Sequence, residues 1–386
     1  MIRHLLDWPG FLVLALLVQG YECVVGFAAD PRGFLQGDSG LYAAAAHSLL
    51  YDGDLDLLNQ CRPNAATLED ALPELQGDIG GEFALSADRR ITLKQSPLLA
   101  VLAVPFYAVL GFGGFLVFNL IVLNLLLVGL AVLAGNTSAT RIVVLLGFTL
   151  TPLRQYTFNF SPDLLLCALF VGGILAARSA RPGWAGALCG LAMTLKLYAA
   201  ALALPIPLLA LGTARWRSGR TVGWLLAGGF AGLLPGFAFN LWQFGSPTVT
   251  GYERQLKVTG SEVGLADHSS RFTVPLGDGV RELVFDPELG LWPRTAIWFA
   301  WPVAAGLLLT RRFAPPTGRG WVLATVAIIV LNLGVFAKYD GALIGSRFGN
   351  RYLFPAVTLG IALIAAAVST RCHSSPTSKN PESNAT

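Results

Sequence analysis

Residues 114–134 read GFLVFNLIVLNLLLVGLAVLA and contain no charged side chain. A helix rises about 1.5 Å per residue and the hydrocarbon core is about 30 Å thick, so roughly 20 apolar residues make one crossing. This stretch meets that length with no interruption. Comparable apolar runs recur from residue 9 to residue 370, near 9–29, 140–154, 163–178, 184–196, 197–213, 221–242, 291–310, 320–338 and 351–370. Backbone that lies in lipid must satisfy its own hydrogen bonds, and the short alternating strands of a β-barrel are missing from the pattern, so the runs are read as helices. The composition agrees. Hydrophobic residues make up 54% of the chain and charged residues 13%, against about a quarter charged in an ordinary soluble domain. Mean hydropathy is +0.59. The expected fold is an all-α polytopic membrane protein of about ten transmembrane helices, one domain over residues 1–371.

Orientation follows from the basic residues in short loops. With the N-terminus inside, Arg3, Arg141, Arg178, Arg181, Arg215, Arg217, Arg220, Arg311, Arg312, Arg319, Arg371 and Lys379 all fall on one side. The run ending in GFAAD (26–30) is long enough to be a retained signal anchor rather than a cleaved leader. QSPLLAVLAVPFYAVLGFGG (95–114) is apolar, but a full crossing there would put the later arginines outside, and Pro97 and Pro105 interrupt its helix. It is read as a juxtamembrane or re-entrant piece. Two long exterior loops remain. The first, 30–96, is rich in Asp and Glu; the second, 243–290, has mixed charge. The tail 372–386 is polar and Pro/Ser-rich, the composition of a disordered cytoplasmic segment. The net charge of +4 is dispersed over span ends, so nucleic acid is not an expected partner. Cys23, Cys61, Cys167, Cys189 and Cys372 lack CxxC spacing, so no zinc or redox site is indicated, and no cofactor is expected. A divalent metal is not indicated either.

Chemistry concentrates at the exterior span ends. In GDSGLYAAAAHSLLYDGDLDLLNQ (37–60), Asp38 sits at an N-cap position ahead of Tyr42 and an alanine run. A carboxylate there caps a helix, and at a membrane surface it can also take a proton from an acceptor hydroxyl. Asp163 in FSPDLLLCALF (160–170) opens a span and admits the same two readings. Lys94, Arg154, Lys196, Arg347 and Arg351 fall near exterior ends of apolar segments. Each could snorkel to the interface, or several together could bind a lipid-borne phosphate.

The first-loop segment, LKQSPLLAVLAVPFYAVLG (93–111), FSPDLLLCALF, GLAMTLKLYAAALALP (190–205), NLWQFGSPTVTGYE (240–253), FDPELGLWPRTAIWFAWPVAAGLLL (285–309) and GNRYLFPAV (349–357) occur in an order that resembles GT-C membrane glycosyltransferases. The closest group is the bacterial relatives of polyprenyl-phosphate-mannose-dependent mannosyltransferases and aminoarabinose transferases. The likeness covers about residues 8–370. It implies a GT-C bundle with periplasmic juxtamembrane helices in the bacterial inner membrane. It also implies an inverting hexosyl- or pentosyltransferase that uses a polyprenyl-phosphate sugar and a glycan, lipid or protein acceptor. Asp38 and Asp163 would be the catalytic carboxylates. Lys94 would contact the donor phosphate, with Tyr42, Lys196, Arg347 and Arg351 as further substrate-binding residues. Ser39 departs from the Glu that many relatives carry after this Asp, which argues against protein mannosyl transfer and a metal role. A flippase or transporter for a lipid-linked saccharide, and a non-catalytic envelope-assembly protein, are the other readings.

The charge pattern predicts that reporter fusions after Gly260 read periplasmic and fusions after Arg217 or Arg312 read cytoplasmic. A cytoplasmic signal at Gly260 contradicts the assigned orientation.

Overall fold

A computed structural model describes residues 7–30, 33–35, 38–61, 82–212, 219–259, 262–265, 272–288, 290–310, 318–340 and 351–374. Those residues form an all-α polytopic bundle with two small hairpins. Helix α1 is Trp8–Ala29, and α2, Asp38–His47, belongs to the first loop. Strands β1 (Phe83–Leu85) and β2 (Ile91–Leu93) precede α3 (Leu98–Leu110). Helices α4 (Gly113–Leu133), α5 (Ser138–Leu150), α6 (Pro162–Arg178) and α7 (Pro182–Leu195) follow. The short α8 (Ala199–Ala203) and α9 (Pro205–Gly212) lead to α10 (Gly219–Phe244). The second loop holds β3 (Leu256–Thr259), β4 (Glu262–Leu265) and α11 (Leu276–Phe285). Helices α12 (Trp301–Leu309), α13 (Gly320–Ala337) and α14 (Phe354–Ser374) complete the bundle.

Every apolar run expected to cross the membrane contains helix, but the lengths differ. Among the described residues, five helices are long and apolar enough to span, or six when the bent pair Pro152–Phe158 and Pro162–Arg178 counts as one. The run 197–213 breaks at Pro205, and 291–310 is divided into Leu291–Arg294, Ala296–Ala300 and α12. Pro293 and Pro302 cannot donate to the helical ladder, so the backbone re-starts beside them. Helix α14 continues to Ser374, past the expected start of the tail at 372.

Contacts sort the helix ends into two groups. At one end Arg141 lies 5.1 Å from the Trp8 ring, Arg178 donates to the Leu133 carbonyl at 2.8 Å, and Thr137 bonds Ser369 at 3.0 Å. At the other, the Phe115 and Phe160 rings are 5.0 Å apart, Tyr156 packs on Phe354, and Lys196 reaches Gln95. Helices α4, α5, α6 and α7 therefore alternate in direction, and α14 runs from the second end to the first. Helix α3 starts beside Gln95 and ends against the start of α4, with Tyr107 stacked on Phe115 at 4.8 Å. Both its ends lie at the same end of the bundle. Gly111, at φ 58°, makes the sharp turn that reverses the chain into α4.

Helix α14 is the most buried of the long helices and packs against α4, α5, α6, α12 and α13. Its sequence explains the position: Ala356, Gly360, Ala362, Ala365 and Ala366 let several neighbours approach. Side-chain amides inside the bundle tie helices together. Gln19 of α1 and Asn124 of α4 exchange hydrogen bonds at 3.2 and 2.9 Å, and Asn119 donates to the carbonyls of Tyr156 and Thr157.

Helices α7 and α10 meet backbone to backbone. A Cβ at Gly186 or Gly190 would run into the carbonyls of Leu225 or Gly229, and one at Gly232 into that of Ala187. Overpacking of a tight contact costs about 1–3 kcal/mol. Gly190→Leu should therefore lower the thermal unfolding temperature in detergent, while Gly223→Leu, with open space around its Cβ position, should not. Equal effects from the two substitutions contradict this seam.

Candidate functional site

Asp38 is the first residue of α2, where a carboxylate meets the positive end of the helix and alanines favour its continuation. Arg351 donates to its Oδ2 at 2.8 Å; the side chains are 13% and 29% exposed for Asp38 and Arg351 respectively. Arg351 lies in the tight turn Arg351–Leu353 that leads into α14. Asn332 on α13 holds that turn, donating to the Tyr352 carbonyl at 2.9 Å and accepting from the Ala356 amide at 3.3 Å. The guanidinium also lies 5.3 Å from the Tyr352 ring centre.

Asp163 occupies the first turn of α6, and the cap is Ser161 rather than Asp163 itself. Ser-Pro-Asp suits a helix start: the serine accepts an orphan N–H, proline presets φ, and the acid faces the helix dipole. Ser161 Oγ donates to Asp163 Oδ2 at 2.9 Å, and Tyr198 Oη approaches Oδ1 at 3.5 Å. Ser39, the departure noted above, donates to Asn159 at 2.9 Å and so ties the start of α2 to the loop that delivers Asp163.

Lys196 lies between α7 and α8, on extended backbone, and is buried. Its Nζ donates to Gln95 Oε1 at 3.0 Å, and the Tyr42 hydroxyl donates to the same oxygen at 2.6 Å. The Gln95 amide also lies near Asp38 and favours its ionised form. Asp38, Asp163, Arg351 and Lys94 are all within electrostatic reach of Lys196.

Lys94 directly follows β2 and pairs with Glu82 at 3.2 Å. The second loop braces this segment. Leu85 donates to the Arg254 carbonyl and Ala87 to that of Gln243, each at 2.9 Å, while the Gln243 amide reaches Thr92 at 3.0 Å. A side chain at Gly251 would strike the Lys94 backbone. The described parts of the two long loops thus pack together behind the site.

The structure therefore gathers Asp38, Asp163, Tyr42, Lys94, Lys196 and Arg351 at one end of the bundle. Arg347 lies outside the described residues. Arg154 does not join the group and pairs instead with Glu22 of α1 at 3.5 Å. Sequence reading did not single out Gln95, Ser161, Tyr198 or Glu82. Gln95 and Ser161 were legible as polar neighbours of Lys94 and Asp163. The sequence held no sign of which side chain Gln95 would meet. Among the described residues no group of three or more His, Cys, Asp or Glu side chains gathers to hold a metal ion. Comparison with protein-family models, curated proteins and solved structures produced no match.

Burial pushes the Asp38 carboxyl up, but the charges of Arg351, Lys196 and Lys94 outweigh it and hold the group below its ordinary value. A depressed folded value stabilises the fold above the unfolded value of about 3.9, and the contribution disappears as pH falls below it. The thermal stability gap between wild type and Asp38→Asn should thus be constant above about pH 4 and shrink below it. A gap that is flat through the acid range contradicts an ionised, paired Asp38. Arg351→Met should cost on the order of 2–3 kcal/mol, below the ~3–5 of a fully buried pair because the guanidinium keeps some water.

Proposed function

We propose that the chain is an inverting membrane glycosyltransferase of GT-C type, with about ten crossings and its site on the periplasmic face of a bacterial inner membrane. Its donor would be a polyprenyl-phosphate-linked sugar and its acceptor a hydroxyl of an envelope glycan, lipid or protein. The observation that carries this reading is the gathering of two carboxylates and three cations, from five separate parts of the chain, at one end of an apolar bundle. A lipid-borne phosphate would arrive at that depth. Low-dielectric surroundings strengthen its attraction to fixed cations relative to open water.

In the proposed reaction the acceptor oxygen attacks C1 of the sugar from the face opposite the phosphate. The bond between C1 and the phosphate oxygen breaks, and its electron pair leaves on the polyprenyl phosphate. Lys94, Lys196 and Arg351 would stabilise that charge as it develops. The acceptor proton passes to a carboxylate. Asp38, held ionised, is a weak base that orients the hydroxyl and takes the proton late, as the nucleophile loses it. Asp163, held by Ser161 and Tyr198, would keep the second side of the site in place.

Each cation is already engaged, so the donor phosphate must exchange with a resident partner. The exchange is easiest at Lys94, whose partner Glu82 is 42% exposed and can turn to water. A transporter reading expects ionisable groups near mid-membrane. Here the charges sit at helix starts and ends, which favours chemistry at the surface.

Purified protein in nanodiscs, offered a panel of polyprenyl-phosphate sugars, should turn over at least one of them. Asp38→Asn should fold, retain donor binding and lower turnover by about 10²-fold or more. Asp163→Asn should also impair turnover. An Asp38→Asn variant with full specific activity contradicts the catalytic assignment.

A further inference from the structure

Gln95 stands where three differently charged groups meet. Its Oε1 accepts from the Lys196 ammonium at 3.0 Å and from the Tyr42 hydroxyl at 2.6 Å. With the oxygen committed to two donors, the amide N–H group is left to face an acceptor, and the Asp38 carboxylate is near enough for the Gln95 amide to favour its ionised form. One neutral side chain is therefore shared by a cation it bonds and an anion whose charge acts on that cation.

We propose that Gln95 is a positioning residue that keeps Lys196 and Asp38 apart, so that the ammonium is presented to a phosphate and the carboxylate to an acceptor hydroxyl. The inference rests on the glycosyl-transfer reading and deepens it. A direct ion pair between oppositely charged groups in partly desolvated surroundings is hard to open. Asp38 already gives Oδ2 to Arg351, so a second direct pair would occupy its remaining oxygen and the Lys196 ammonium at once. A neutral amide accepts one of the three ammonium N–H bonds without cancelling the charge, so the cation keeps its attraction for a phosphate. The amide is also the one neutral group of this size that offers an acceptor and a donor in fixed directions.

Chain geometry makes the arrangement dependable. Lys94 and Gln95 are adjacent on the segment between β2 and α3, and the second loop packs behind that segment at Gly251. Lys196 is held on extended backbone between two helices, and Tyr42 is buried on α2. The Gln95 side chain thus bridges the first loop to the break between α7 and α8. It acts through Lys196 and Asp38.

The test uses Gln95→Glu, which is isosteric. Glutamate at 95 would face Asp38 and Tyr42 from α2, Lys196 from the α7–α8 break, Lys94 beside it, Arg351 from the start of α14, Asp163 of α6, and Tyr252 of the second loop. Ionised, it pairs with Lys196 and repels Asp38. Protonated, it offers one acceptor oxygen and one O–H donor and so reproduces the amide. Binding of a labelled polyprenyl phosphate to the full chain in nanodiscs is measured for wild type and variant at matched pH. The ratio cancels the titration of the phosphate itself. At neutral pH the variant should bind about tenfold or more weakly, and the ratio should return toward one as the pH is lowered through the carboxyl range. Gln95→Met, measured alongside, should bind weakly at every pH, and it decides the matter if Gln95→Glu does not fold. Wild-type affinity in both variants overturns the proposal while leaving the glycosyl-transfer reading standing. A wild-type protein that does not bind polyprenyl phosphate overturns both. A Gln95→Glu defect that acid does not relieve shows a packing role only, and contradicts charge separation.

Discussion

Arg351 and Asp38 are 313 residues apart in sequence and 2.8 Å apart in space. Their contact joins the turn that leads into α14, the most buried of the long helices, to the first turn of α2. A charge at the edge of a low-dielectric bundle is costly alone and acceptable when paired, so each partner restricts where the other can be. The rest of the site follows from this restriction. Asn332 fixes the turn that carries Arg351, Ser39 fastens the helix that carries Asp38 to Asn159, and Asn159 leads directly to Ser161 and Asp163. Helices α13, α14, α2 and α6 thereby converge on a few side chains.

The bundle must supply this precision without a hydrophobic drive between helices, because lipid tails are as apolar as leucine. It does so by two means. Glycines allow α7 and α10 to touch along their backbones, and α7 ends at Lys196. Buried amides do the rest: Asn119 holds the carbonyls just before the bend into α6, and Gln19 and Asn124 link α1 to α4. The 118° bend between Pro152–Phe158 and α6 leaves the start of α6, and hence Asp163, at the end of the bundle that carries Asp38 and Lys196. The first and second loops then close behind the site through the pairing of Ala84 with Gln255.

Much of this architecture was readable from the chain. Uninterrupted apolar runs identify helices because lipid leaves the backbone no other partner, and the arginine pattern correctly separated the two ends at Arg141 and Arg178. Pro97 and Gly111 bound helix α3, but the helix runs unbroken through Pro105, so the interruption expected there does not occur. Charged residues at span ends, such as Asp38 and Arg351, attract notice because charge is scarce in this composition. What escaped was of two kinds. Span lengths depend on where prolines such as Pro205 break the ladder, which hydropathy averages over. Neutral polar residues also carry no such signal: Gln95, Asn332 and Ser161 are ordinary in any loop or helix, and their partners are decided by tertiary contact. The acidic residues of the first loop illustrate the converse, since Asp54 and Asp56 serve local turns around Ser48 and do not reach the site.

The central claim is that the cations of this cluster receive the phosphate of a lipid-linked sugar while Asp38 and Asp163 remain beside the reacting carbon. A cryo-electron microscopy structure of the chain in a nanodisc with a bound polyprenyl phosphate tests it most directly. Phosphate density is expected within hydrogen-bonding reach of Lys94, Lys196 or Arg351, with the polyprenyl chain leaving toward lipid and Glu82 turned away from Lys94. Phosphate density at another place in the bundle, with the Lys94–Glu82 and Arg351–Asp38 pairs intact, would contradict it.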